Sequence, residues 1–158
     1  MSERITVTRD VDARPDQVFS LLADPARHVE LDGSGFIRSV AEGGPITAVG
    51  DSFLMNMNNP VLGDYQVRNS IAVFEAGRAI GWGPQLFPVD GYRDKLGDMV
   101  TGGHIFSWEL APSASGGTTI THTQDWSGVG DPGFKSIFPM ITEAMMSETV
   151  DRVGKTAG

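Results

Sequence analysis

The stretch that decides the fold is GHIFSWELAPSASGGTTITHTQDW, residues 103–126. Its two halves alternate in period two around a small, turn-forming centre, PSASGG at 112–117, which is the pattern of a β-hairpin. His104, Phe106, Trp108 and Leu110 share one parity of the first half; Ile120, His122, Gln124 and Trp126 share one parity of the second. Thr119, Thr121 and Thr123 take the opposite parity, which suits a solvated face. The inward face therefore holds imidazoles, an amide and indoles, where packing alone would select Leu, Val and Ile. Buried polar groups need partners. A cavity with a polar patch meets both conditions.

With its turn centred near 114–115, the hairpin puts His122 opposite His104 or Phe106, within reach of one patch. Upstream, further strands are predicted at about 36–42, 50–58, 64–75 and 78–83, joined by Gly43-Gly44-Pro45, Asn58-Asn59-Pro60 and Gly77. RITVTRDVDA opens the chain as another strand, so the series reads as an antiparallel meander. Between the first two strands, ARPDQVFSLLADPARHVEL changes period. Pro15 suits a first helical turn, Asp24-Pro25 breaks the helix, and a second short helix follows. His28, with Glu30 and Asp32, falls at what reads as an exposed helix end. The last segment, PGFKSIFPMITEAMMSETVDRVGKTA, spaces Phe134, Ile137, Phe138, Ile141, Met145 and Val153 as an amphipathic helix of roughly six turns. Pro139 is expected to kink it or to move its start to about 138. A long helix after a meander needs a sheet curled around it.

These motifs, ARPDQVFSLLADPARH, VGDSFLMNM with NSIAVFEAGRAIGW, FSWELAP with GGTTITHTQDW, and the terminal helix, resemble in order and spacing the helix-grip superfamily (SRPBCC). That group contains START lipid-transfer domains, polyketide cyclase/dehydratases and aromatases, and the birch-pollen allergen. The resemblance implies an α+β helix-grip fold, a curved antiparallel sheet of six to seven strands around a long C-terminal helix. It also implies a cavity between them for hydrophobic small molecules, with catalysis in some members only. Fold speaks for a pocket more than for chemistry. Residues 1–158 are taken as one such ligand-binding domain.

The strands supply the candidate wall. FLMNMNN aligns Phe53, Met55 and Met57, and DYQVRNSI aligns Tyr65, Val67 and Asn69, leaving Arg68 to solvent. An outward Arg68 departs from the cyclase pattern, in which a cavity arginine holds the polyketide chain. A bulge near Ala72 would reverse parity before Phe74 and Trp82. The expected ligand contacts are these six residues with Trp82, His104, Phe106, Trp108, His122, Gln124, Phe138, Ile141 and Met145. Candidate catalytic groups, if the chain is an enzyme, are His122 or His104 as general acid/base and Tyr65 or Asn69 orienting a carbonyl. Leu86, Phe87, Tyr92, Leu96 and Met99, in the Gly/Pro/Asp-rich stretch 83–103, could cap the pocket mouth or form a solvated insertion.

Composition bounds the partners. With 12 Lys+Arg against 20 Asp+Glu the formal net charge is −8, which repels phosphate backbones and anionic membranes, so nucleic acid is not expected. No cysteine is present, no HExxH occurs, and the three histidines have no clustered carboxylates, so neither a metal nor another cofactor is expected. No stretch is apolar enough for stable membrane insertion, and the polar N-terminus points to the cytoplasm. A homodimer is left open. The reading is a binder of a polyketide-like, lipid or steroid ligand, with a cyclase/dehydratase and an interaction module with a vestigial cavity as the alternatives.

Overall fold

The computed structural model describes residues 2–158. Seven strands, β1 (Arg4–Val11), β2 (Ile37–Glu42), β3 (Ser52–Asn59), β4 (Gly63–Glu75), β5 (Ala79–Phe87), β6 (Ile105–Pro112) and β7 (Thr118–Asp125), form one antiparallel sheet in the order β1-β7-β6-β5-β4-β3-β2. The sheet is curved and open, with β1 and β2 at its edges. Two short helices follow β1: α1 (Pro15–Leu22) and, after a 3₁₀ turn at Pro25–Arg27, α2 (His28–Leu31). Pro15 takes the first turn of α1, and the Gln17 side chain accepts a hydrogen bond from the Arg14 N–H at 2.8 Å. α3 (Arg93–Leu96) is one turn in the β5–β6 connection, and α4 (Pro132–Lys135) precedes the long C-terminal helix α5 (Glu143–Ala157).

The C-terminal segment differs from the continuous six-turn helix that the spacing suggests. Asp131 caps α4 by accepting from the Gly133 and Phe134 N–H groups, and the chain then runs irregularly through Pro139 until Thr142 caps α5. α5 therefore begins at Glu143 rather than near 138, and Phe138 and Ile141 sit on the connecting segment. The face of α5 turned inward carries Met146, Val150 and Val153; Met145 lies half-buried beside it.

α5 packs on β1, α1 and α2, and two glycines allow the approach. A methyl group on Gly154 would meet Val11 Cγ1 at 2.5 Å, and one on Gly33 would meet the Met145 carbonyl oxygen at 2.5 Å. Val18, Leu22, Ile80, Ile120, Met146, Val150 and Val153 fill this half of the interior. On β4, Val67, Asn69 and Ile71 point inward until a register shift between Ile71 and Val73, after which Phe74 does so. The bulge expected near Ala72 is there.

Candidate ligand-binding site

Three ranks of paired side chains cross the inner face of the β6–β7 hairpin. Leu110 faces Ile120, Trp108 faces His122, and Phe106 faces Gln124. The pairing Pro112↔Thr118 centres the turn on Ser115, so His122 lies opposite Trp108 and not opposite His104 or Phe106 as the assumed turn implied. Those pairings need a turn centred on residue 113 or 114, and a shift of one or two residues in the turn changes every cross-strand partner while keeping each side chain on its face. His104 lies just before β6, buried among Phe106, Phe134 and Phe138, with the Phe138 ring 4.9 Å away. Trp126, just after β7, stacks on Phe138 at 5.8 Å. The irregular segment after α4 is thus laid over this end of the hairpin.

The chemistry of the patch follows from its hydrogen bonds. His122 Nδ1 lies 3.0 Å from the Ser107 carbonyl oxygen, which can only accept, so Nδ1 carries the proton. Burial pushes the His122 pKa down to about 4, against the opposing pull of that carbonyl, so the ring is neutral at pH 7 and Nε2 is a bare lone pair. The Trp108 indole stacks on it at 3.7 Å. Burial likewise lowers His104 to about 4. Gln124, fully buried, donates from Nε2 to the Ile141 carbonyl at 2.8 Å and so tethers the 136–142 segment to β7.

What remains unbonded is informative. His104 Nδ1, Trp108 Nε1 and Gln124 Oε1 are buried without a partner, and all three belong to this hairpin face. Each such group costs about 1–3 kcal/mol relative to a bonded one. Three such atoms are not many for a native fold, but each calls for an explanation, and these three share one face.

The other candidates form a second group. Phe53, Met55 and Met57 face Asn69, Val67 and Tyr65 across β3–β4, and Trp82 faces Phe106 across β5–β6. Asn69 is buried and Tyr65 half-buried, its phenol pKa raised by desolvation. The strand order places β5 and β6 between Tyr65 or Asn69 and His122, about 14 Å along the sheet at ~4.8 Å per strand. Arg68 lies on the outer face, paired with Glu42 at 3.2 Å and set over the Phe87 ring. Two open concavities lie at this end. One, of about 420 Å³, is lined by Arg38, Asn56, Met57, Asp64, Tyr65, Gln66 and Tyr92; the other, of about 210 Å³, lies within 86–101. Neither lies between α5 and the sheet.

Sequence reasoning missed His28. Instead of an exposed helix end it is buried, its Nε2 donating to the Leu22 carbonyl at 2.8 Å and its ring stacked on Trp82 at 5.1 Å. Burial lowers its pKa. The signal was the 3₁₀ turn that Asp24-Pro25 starts, which rotates residue 28 inward. The 83–103 stretch also departs from a plain loop: β5 runs on to Phe87, and Tyr92 and Leu96 pack on Leu62, Val67 and Leu86. Met99 packs instead with Trp126, Val129 and Phe134, and the Val100 N–H donates to Asp131 at 2.7 Å. Among the described residues no three His, Asp or Glu side chains gather to hold a metal ion, and no helix is long and apolar enough to cross a membrane.

The solved structure of protein CV1439 from Chromobacterium violaceum superposes over 99% of this chain and 98% of that one, with a TM-score of 0.71 at 18% identity. The fold is the helix-grip, SRPBCC type. DynU16, a protein in the dynemicin biosynthetic locus, shares this helix-grip architecture over 98% of the present chain and 47% of its own, with a TM-score of 0.60 at 17% identity. In sequence the chain is 26% identical over 127 residues to the uncharacterized protein Rv0088 of Mycobacterium tuberculosis, covering 80% of this chain and 49% of that protein. The chain spans about half the length of that curated relative. No model of a known protein family matches the sequence.

Proposed function

We propose that this helix-grip chain binds a hydrophobic small molecule, of polyketide-like, lipid or steroid type, between the inner face of β5–β7 and the segment 134–146. The observation that carries the reading is the set of unbonded buried polar atoms on one aromatic face, at His104, Trp108 and Gln124. A spent cavity would be expected to hold Leu, Ile and Phe there; retained convergent polar groups are what a ligand needs for orientation. His104, Phe106, Trp108, His122, Gln124, Phe138 and Ile141 form the primary contacts in this reading, with Trp82 and the β3–β4 residues Phe53, Met55, Met57, Tyr65, Val67 and Asn69 on the far wall.

The test is thermal unfolding with a panel of aromatic polyketides, sterols and fatty acids. A compound at 100 times its Kd adds about 2.7 kcal/mol to the folded state and raises Tm accordingly. A panel without any shift removes the support for binding.

A second reading, a cyclase or dehydratase, is favoured by one feature. His122 presents a neutral, unprotonated Nε2 held in orientation by Ser107, the form required of a general base. The position of DynU16 in a biosynthetic locus agrees with such chemistry. Tyr65 and Asn69 lie too far along the sheet to orient a carbonyl at His122 directly, so in this reading His104, Gln124 or Trp108 takes that part.

A further inference from the structure

The hairpin face specifies more than apolarity, because three of its free atoms have a fixed hydrogen-bonding role; the fourth, His104 Nδ1, donates or accepts according to its tautomer. An indole N–H only donates, so Trp108 Nε1 needs an acceptor. The Gln124 amide uses its Nε2 on the Ile141 carbonyl, so the buried Oε1 that is left over only accepts. His122 commits its proton on Nδ1 to the Ser107 carbonyl, so its Nε2 also accepts. His122 and Gln124 are neighbours on the same face of β7, about 7 Å apart along the strand. Trp108 lies directly opposite the first of them.

The charge of the ligand is constrained as well. The buried polar residues are His28, Asn69, His104, Thr118, His122 and Gln124, and none of them is a lysine, arginine, aspartate or glutamate. An ionised carboxylate placed against this face would find two acceptors and no cation, which is prohibitive in a dry site.

We infer that the molecule this face recognises is uncharged and presents two hydrogen-bond donors, hydroxyls above all, toward His122 and Gln124 and one acceptor toward Trp108. The inference rests on the ligand-binding reading above and narrows it: phenolic or enolic polycycles and diols fit, whereas fatty acids and fully alkylated ethers do not. A sterol with a single hydroxyl satisfies one of the two acceptors.

Three naphthalenes of similar size separate the possibilities: 2,7-dihydroxynaphthalene, 2,7-dimethoxynaphthalene and 2-naphthoate, titrated into the full chain at pH 7 with tryptophan fluorescence and calorimetry. The diol should bind roughly tenfold or more tightly than the dimethyl ether, as two modest hydrogen bonds predict, and the naphthoate should be weakest. His122→Phe should remove about half of that preference on a logarithmic scale, read as the diol-to-ether affinity ratio within the variant. Equal binding of all three, or tightest binding of the naphthoate, overturns the donor–acceptor assignment while the ligand-binding reading stands. No binding by any of the three, together with no shift across the wider panel, overturns both. The wild-type series decides the matter even if the variant does not fold.

Discussion

The two ends of the inner sheet face are built on opposite plans. At the α5 end, Val18, Leu22, Ile120, Met146, Val150 and Val153 close the interior with aliphatic side chains, and the helix backbone approaches so closely that Gly33 and Gly154 are needed. At the other end β6 and β7 carry Trp108, His122 and Gln124, with His104 just before β6, beneath an irregular segment that the Gln124 amide tethers. The first end contributes stability. The second gives some of it up, since unbonded buried polar atoms are costly.

The comparison can be broken first at the aliphatic end. Leu22→Ala removes a fully buried side chain and should cost about 2–5 kcal/mol in urea unfolding. Affinity of the remaining folded protein for the dihydroxynaphthalene should be unaltered; a parallel loss would mean that the two ends are one site.

Acid should act on the polar end. A histidine in the unfolded chain titrates near 6.5, whereas His104 and His122 resist protonation down to about 4 in the fold. Between those values the unfolded chain holds more protons, so stability rises with pH across the window. The contribution is complete above about pH 6.5 and is lost progressively as pH falls to about 4. Each histidine supplies up to roughly 3 kcal/mol at about 1.36 kcal/mol per pH unit. Urea unfolding at pH 7, 5.5 and 4.5 should show the decline, and His104→Phe and His122→Phe should each flatten it. An unchanged slope in both variants would show that the rings are open to water in solution.

The smallest effect expected is that of His122→Phe on stability at pH 7. A ring replaces a ring of similar volume, so the change should stay within about 1.5 kcal/mol even though the bond to the Ser107 carbonyl is lost. A larger loss would place His122 with the aliphatic end, as a residue the fold itself requires.

Strand faces and the helix starts after β1 were local matters, and the sequence determined them by itself. Period-two alternation assigned Phe53, Met55, Val67, Asn69, Trp108 and His122 to one side of their strands, and Pro15 and Asp24-Pro25 punctuated the helices. Tertiary structure decided the rest. The register that pairs His122 with Trp108 depends on a turn centred on Ser115, a displacement that alternation cannot detect. The break between α4 and α5 and the inward turn of His28 set which groups lie over the hairpin and which stack on Trp82. The division of the candidate residues into a β6–β7 group and a β3–β4 group comes from strand order. Periodicity records which way a side chain points; how far apart two such side chains stand is fixed only when the sheet curves and α5 docks, through contacts between residues distant in the chain.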